Sequence, residues 1–583
     1  MLLAILAAGL AWVLAPAGRR GVALLDDGAG LARAMWRAVV LLLRRIERAV
    51  ERAAPVFAAV AALVVVIVGF AEGARVAGGS DSYGYVSQAH LIAAWRVHVE
   101  PIPLAELTPA IPLKALVPLG YLLSPARDAL VPTYAPGLPL VMAIGEWIAG
   151  RRAVFWVVPL LGGLAVWATY LLGRRAAGGP AGAFAAVLLA SSPVLLLQLT
   201  AAPMSDLPAA AWWALALALV FREGRASALL GGLAAGLAIL TRPNLVPLAL
   251  VPGALLLWRA LVERRGSTPP SPPLLAGAAA RRGLLFVAGA IPACLAVAAL
   301  HTIHYGSPLR AGYDLRGLFG LEHTWPNLVG YPALAVEMQT PLVLLALAAP
   351  LLTGGSALDA RTRGRAVTLV AAAFVLAVLA CYLFYPAFDA RSTLRFLLPA
   401  IPPLLVLVSV SIAAFARRLP AGARFLLLAA VSTVAAVHGV ADARERGAFH
   451  TEVERKYALI GEHIARRLPA SAVLLAMQHS GSARYYSGRP TVRYDLLPER
   501  RLDRVVGVLQ REGYRPYILL EPWEVERFRE RFQDRSPLGL LDWPPLVELE
   551  REGVRIYDPA DREPVRGGEG RVTEILPWPP GGV

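Results

Sequence analysis

The chain has 583 residues, is 57% hydrophobic and 17% charged, and has a mean hydropathy of +0.56, whereas an ordinary soluble protein is about 25% charged. That composition excludes a free globular protein and points to a membrane. Lys and Arg number 57 against 41 Asp and Glu, a net +16 with a pI near 10.2, a balance that elsewhere suggests nucleic acid. The distribution excludes that partner: residues 442–583 hold 23 charges of each sign, and the whole excess lies in residues 1–441, between apolar runs. Such interleaving reports membrane topology.

In chain order, residues 1–16 are apolar, lack a preceding basic stretch and lead into Arg19-Arg20, which reads as a short first span rather than a cleaved signal peptide. The basic stretch 19–52 sets Trp36, Val40 and Leu43 on one helical face and Arg33, Arg37, Arg44 and Arg48 elsewhere, predicting an amphipathic helix on the cytoplasmic surface. Residues 1–54 therefore form an N-terminal region. Eleven apolar runs follow, at 55–71, 152–172, 180–198, 206–221, 227–241, 244–261, 283–300, 331–352, 367–385, 396–416 and 424–440. A bilayer asks for roughly 20 residues per helix, so the expectation is an all-α polytopic membrane protein of about 11–12 transmembrane helices, with its membrane domain over 55–441. The run 130–149 is split by Pro132, Pro136, Gly137 and Pro139 and is placed as a helix lying on or dipping into the outer face of a large first outer loop, 72–151.

That placement puts Arg174-Arg175, Arg264-Arg265 and Arg417-Arg418 inside, as the positive-inside rule asks. Predicted cytoplasmic segments then carry 22 basic and 7 acidic residues, and predicted outer segments up to 441 carry 11 of each. Residues 266–280, with Ser-Thr-Pro-Pro-Ser-Pro-Pro, read as a cytoplasmic linker. Cys294 and Cys381 lie inside apolar runs and are expected to be buried free thiols. After residue 441 the composition changes abruptly. A helix over 443–468, a strand Ala472–Met477, helices 481–487, 501–512 and 522–533, a strand Tyr517–Leu520 and late strands near 545–557 predict a soluble extracytoplasmic α/β domain over 442–583, with a frayed end.

The informative residues are the few ionisable ones at outer span ends. Asp81 follows the first long run in Gly78-Gly79-Ser80-Asp81-Ser82, where glycines turn the chain sharply; it suits a general base for an acceptor hydroxyl, with an N-cap of the helix that begins near Tyr85 as the simpler role. Asp206, before Leu207-Pro208, offers the same two readings; together the two carboxylates divide base and orienting work, or share a divalent metal. Arg242 in Thr241-Arg242-Pro243-Asn244, Arg310, and Arg391 and Arg395 in Asp389–Phe396 suit an anionic partner such as phosphate, with snorkelling to head groups as the simpler role for any one of them. Lys114 lies in the outer loop, as do Glu100 and Glu106; His301, His304 and Glu322 are also placed outside. No His/Glu spacing specifies a metal and no Gly-rich phosphate loop follows a strand.

These stretches taken in order resemble a polytopic glycosyltransferase of the GT-C superfamily, similar to bacterial protein-O-mannosyltransferase-like and aminoarabinose-transferase-like enzymes: Ser80-Asp81-Ser82-Tyr83-Gly84-Tyr85; Tyr134-Ala135-Pro136-Gly137-Leu138-Pro139-Leu140; Met204-Ser205-Asp206; Gly236 through Asn244; and Arg395-Phe396-Leu397-Leu398-Pro399. The resemblance covers residues 55–416. It implies a cavity at the outer face of the membrane, a polyprenyl-phosphate-linked sugar as donor, Asp81 as the first-loop catalytic carboxylate and Asp206 as the acidic residue of the second outer loop. Tyr85 and Tyr134 join the binding set with Lys114, Arg242, Arg310, Arg391 and Arg395. The acidic neighbour usual directly after the first Asp is replaced by Ser82, which sets the chain apart on metal assistance. The acceptor is left open among protein, lipid and glycan. The reading from residues alone keeps two rivals: a transporter or flippase for a lipid-linked or anionic substrate, since broken helices and half-buried arginines serve transport too, and a scaffold whose C-terminal domain binds a partner.

Overall fold

The computed structural model describes residues 28–108, 110–125, 129–265, 277–312, 319–353, 360–386, 394–563 and 572–578. The apolar segment 1–16, most of the linker 266–280 and Arg391 lie outside the described residues. All eleven predicted runs appear as helix. Among the described residues, seven helices are long and apolar enough to cross a membrane, and two bent pairs raise the number to nine. The remaining two runs are the shorter helices Asp206–Val220 and Arg225–Thr241, and a further short apolar helix, Gly137–Ala149, fills the Pro-split run.

One helix, Gly28–Glu72, runs without interruption from the basic stretch into the first span, through Pro55. A separate surface helix over 19–52 is thus not what forms among the described residues. Ala, Leu, Arg and Glu are all strong helix formers, so nothing between Arg44 and Ala54 stops the helix. Cys294 is exposed at the protein's surface and Cys381 half-buried, both as free thiols; a residue on the outer face of a membrane helix meets lipid rather than protein, which an apolar run alone does not distinguish. The two bent pairs, Gly179–Ala190 with Pro193–Thr200 and Leu321–Gln339 with Pro341–Leu352, turn by 53° and 117°. Their breaks meet, with Gln339 Nε2 donating to Ser192 Oγ, so the polar side chains at the two breaks are paired inside the protein.

In the outer loop a two-stranded antiparallel ribbon forms, β1 (Tyr121–Leu123) with β2 (Leu130–Pro132). The C-terminal sheet has six strands, β3 (Ala472–Leu475), β4 (Thr491–Val492), β5 (Arg515–Leu520), β6 (Val547–Leu549), β7 (Arg555–Tyr557) and β8 (Glu574–Leu576), in the order β4-β3-β5-β7-β6-β8. β3 pairs in parallel with both β4 and β5, and β7 joins β5 antiparallel. β8 pairs with β6, so the chain end is not wholly frayed; strands of two and three residues are too short to show periodicity. The predicted helix 443–468 is two helices, Ala421–Glu445 running past the boundary and Arg455–Arg467, separated by a turn at Gly447 (φ +83°).

Alternation along β3 and β5 divides the apolar side chains between two cores. Ala472, Leu474, Tyr517 and Leu519 pack with Ile460 and Ile464, whereas Val473, Leu475, Ile518 and Leu520 pack with Phe528, Phe532 and, from the outer loop, Ile111, Leu116 and Tyr121. The C-terminal region and the outer loop therefore share one apolar core. Polar contacts reinforce it: the Ala77 amide donates to Tyr486 OH at 2.8 Å, and the Leu119 amide to Ser480 Oγ at 3.0 Å.

Candidate active site

Asp81 is the first residue of the helix Asp81–Ala93, and Ser80 precedes it with no side-chain capping bond. The glycines before it are used in different ways. Gly79 takes φ +55°, and a Cβ on Gly78 would come within 2.5 Å of the Tyr457 ring, so the turn is both left-handed and pressed against the C-terminal region. Asp206 likewise begins its helix, Asp206–Val220, after Ser205 without a capping bond. Both carboxylates thus sit where the helix dipole favours negative charge, yet their oxygens are engaged with partners from distant segments.

Tyr134 OH donates to Asp81 Oδ1 at 2.6 Å and receives the Ser80 hydroxyl at 2.7 Å. Arg395 Nη1 lies 3.5 Å from Asp81 Oδ2. Asp206, 3% exposed, is paired with Arg242 Nη1. The two guanidinium groups both approach the Phe396 ring, at 5.1 Å for Arg242 and 5.0 Å for Arg395. Tyr85 packs beside Tyr134 with tilted rings, centroids 4.8 Å apart, and donates to Ser205 Oγ at 2.8 Å. Burial pushes the Tyr85 phenol well above its usual range, so it remains a donor at neutral pH. One connected cluster thus joins Asp81, Tyr134, Arg395, Arg242, Asp206 and Tyr85.

The local sequence explains the convergence. Arg242 caps the helix Arg225–Thr241 in an extended conformation (φ −142°, ψ 87°), as expected before Pro243. In the Tyr134–Leu140 stretch, Gly137 abuts the Leu240–Thr241 backbone so closely that a Cβ would be 2.3 Å from the Thr241 nitrogen. Gly84 has a similar role: its missing Cβ would stand 2.3 Å from the Tyr134 ring. Tyr134→Phe, which removes a bond to a charged group worth about 1.5–3 kcal/mol, is expected to lower turnover roughly tenfold or more. Gly84→Ala should do the same by displacing the ring, and the double variant should lose nothing further; full activity in Gly84→Ala would contradict this geometry.

Lys114 and Arg310 are exposed and stand outside the cluster. Residues not singled out from the sequence complete it. Tyr382 stacks on Phe396 at 5.6 Å, Tyr385 meets it edge-on at 5.5 Å, and Asn244 Nδ2 donates to Tyr382 OH at 2.9 Å. Paired tyrosines at a span end are a usual interfacial signal and were legible as such. Arg395 Nε is buried without a hydrogen-bond partner among the described residues. Ser82 turns away, donating to the Val76 carbonyl at 2.9 Å. Among the described residues no group of three or more His, Cys, Asp or Glu is arranged for a metal, and each carboxylate of the cluster already has an arginine. This donor set, two carboxylates each held by an arginine, does not fit a shared divalent ion.

Residues 133–280 match a family model described as dolichyl-phosphate-mannose-protein mannosyltransferase. The fold is similar to the crystal structure of ArnT from Cupriavidus metallidurans bound to undecaprenyl phosphate, at 15% identity and a TM-score of 0.51, covering 82% of this chain and 94% of that one. The chain has the polytopic membrane fold seen in that structure. The GT-C resemblance read from the sequence is borne out. The apo oligosaccharyltransferase of Archaeoglobus fulgidus is also similar, at 12% identity and a TM-score of 0.47, covering 87% of this chain and 74% of that one. No curated protein matches this chain in sequence.

Proposed function

We propose that this chain is a GT-C glycosyltransferase that moves a sugar from a polyprenyl-phosphate-linked donor to an acceptor hydroxyl at the outer face of a bacterial inner membrane, with inversion at the sugar carbon. One observation carries the reading: Asp81 and Asp206 are joined through Arg395, Phe396 and Arg242 into a single site. Asp81 takes the proton of the acceptor hydroxyl as its oxygen attacks the anomeric carbon. The bond from that carbon to the phosphate oxygen breaks, and the electron pair leaves on the phosphate. Arg395, through its unpartnered Nε, and Arg242 meet that charge. Asp206 fixes Arg242, and Tyr134 fixes the carboxylate of Asp81. The undecaprenyl phosphate in ArnT and the mannosyltransferase family model support this donor class.

The placement of the site and the C-terminal region on one side has independent support. The C-terminal region packs on residues just after the first span, as Gly481 does on the Tyr83 ring, so the two share a side and the chain between them crosses an even number of times. The ten predicted runs from 152–172 to 424–440 meet that condition. With Cys294 and Cys381 replaced, a cysteine introduced at Ser471 is expected to react with an impermeant reagent from outside whole cells; protection from it would reverse the topology, placing the basic N-terminal region outside.

The test of the function is transfer in proteoliposomes from a radiolabelled polyprenyl-phosphate sugar pool, followed by release of polyprenyl phosphate. The two bent spans are the observation that favours a transporter. Movement of the labelled lipid between leaflets without release of its phosphate would establish transport and refute transfer.

A further inference from the structure

The helix that begins with Asp81 has a second face. Asp81 and Tyr85 look toward the carboxylate cluster, whereas Tyr83, Ser87 and His90, at helical spacing, line a separate cavity of about 270 Å³. That volume lies just under the roughly 300 Å³ lower bound of drug-sized sites and suits one sugar ring. Its walls are aromatic: Tyr121 and Tyr485 stand 5.8 and 6.4 Å from Tyr83. Hydroxyls converge on it, with Tyr121 OH donating to Ser87 Oγ at 2.9 Å and Tyr485 OH 2.8 Å from His90 Nε2.

Three arginines also line it, Arg96, Arg151 and Arg484. Among the described residues none of the three is paired with a carboxylate; the nearby Glu146 is held by His90 Nδ1 at 2.5 Å. Three guanidinium groups against the one nearby carboxylate of Glu146 leave the cavity with a net positive charge against aromatic walls. Arg484 and Tyr485 come from the helix Ser480–Ser487, which is fixed in place where Gly481 meets Tyr83 and Ser480 receives the Leu119 amide. The cavity is assembled only when the C-terminal region is docked.

We propose that this cavity is an acceptor-side subsite for an acidic saccharide, a sugar ring bearing a phosphate or carboxylate, whose ring lies against the tyrosines and whose acid group is taken by Arg484 and Arg151. The proposal rests on the transferase reading, since the donor phosphate is assigned to Arg242 and Arg395. Ser87 lies roughly 9 Å along the helix from Asp81 at 1.5 Å per residue, so a sugar here leaves the next residue of an acceptor within reach of the base.

Binding to the full-length protein in nanodiscs tests this by calorimetry with four probes: glucose 6-phosphate, glucuronate, glucose and inorganic phosphate. Glucose 6-phosphate and glucuronate are expected to bind, with glucose and phosphate each at least roughly tenfold weaker. Arg484→Gln and the exposed Arg151→Gln should each weaken glucose 6-phosphate by roughly tenfold, and Asp81→Asn should leave it unchanged. Equal binding of glucose and glucose 6-phosphate, or of phosphate and glucose 6-phosphate, overturns the proposal, as does undiminished binding in both arginine variants. Because binding is read without turnover, a failure of the Asp81 assignment leaves this result standing, and a failure here leaves Asp81 untouched.

Discussion

Asp81→Asn is expected to lower sugar transfer by roughly 10²–10⁴-fold, the usual contribution of a positioned general base, with little change in folding. Asparagine keeps the shape and still offers an oxygen to Tyr134 OH, which donates to Oδ1 at 2.6 Å. It loses only the pairing with Arg395 at 3.5 Å, between side chains 36% and 22% exposed, a contact at the weaker end of ion pairs and worth about 1 kcal/mol or less. A loss of transfer with a preserved melting temperature therefore isolates chemistry from stability. Tyr134→Phe serves as the internal comparison: it perturbs the orientation of the same carboxylate without removing it, so its loss should be smaller. Transfer at the wild-type rate in Asp81→Asn would remove Asp81 as the base.

The fold was largely readable because membrane crossing imposes length and polarity on each segment separately. The runs 152–172 and 396–416 needed no tertiary information to be recognised, and β3 and β5 were visible as short apolar strands, although the division of their alternate residues between two cores was not. The site was readable only in part. Asp81, Asp206, Arg242 and Arg395 announced themselves as charges at span ends, but nothing local says that Arg395 reaches Asp81 while Arg242 reaches Asp206, or that both lean on Phe396; those pairings come from helix packing. Lys114 carried the same local signal and lies outside the cluster, because a 3-10 turn at Leu113–Leu116 leaves it exposed. The basic stretch before Ala54 misled in the opposite sense. Its polarity marks a membrane boundary, but polarity does not end a helix; only a capping residue or an uncompensated proline does, and Pro55 is accommodated within Gly28–Glu72.

The C-terminal region was the least readable in function, since no residue in it carries a catalytic pattern. Its meaning lies in what it touches. Tyr457 stands against Gly78, Tyr486 accepts from the Ala77 amide, and Gly481 fits the Tyr83 ring, so three residues of the tail bear on the segment that carries Asp81. The glycines of Gly78-Gly79, which from sequence explain a sharp turn, also make room for a neighbouring region that sequence cannot name.

Arg242→Gln is expected to produce the largest stability loss of any single change at the site. Asp206 is 3% exposed and its side chain is paired with Arg242, itself only 14% exposed. Removing one partner of a buried pair leaves a charge without water or counter-ion, at a cost of about 3–5 kcal/mol. The guanidinium also rests on Phe396 at 5.1 Å, a contact that glutamine does not replace. Asp206→Asn alone should cost less, because the remaining guanidinium is nearer the surface than the carboxylate it loses. The double variant, Asp206→Asn with Arg242→Gln, places two amides where two charges stood, and it should recover most of the stability lost in Arg242→Gln, a coupling that a double-mutant cycle of thermal or denaturant melts in detergent would read directly. Transfer should not recover with it, because the neutral pair offers no cation to the departing phosphate. Stability and activity would then separate in one set of four proteins. A double variant as unstable as Arg242→Gln would deny the pair its structural role, and one with restored transfer would deny Arg242 its place beside the phosphate.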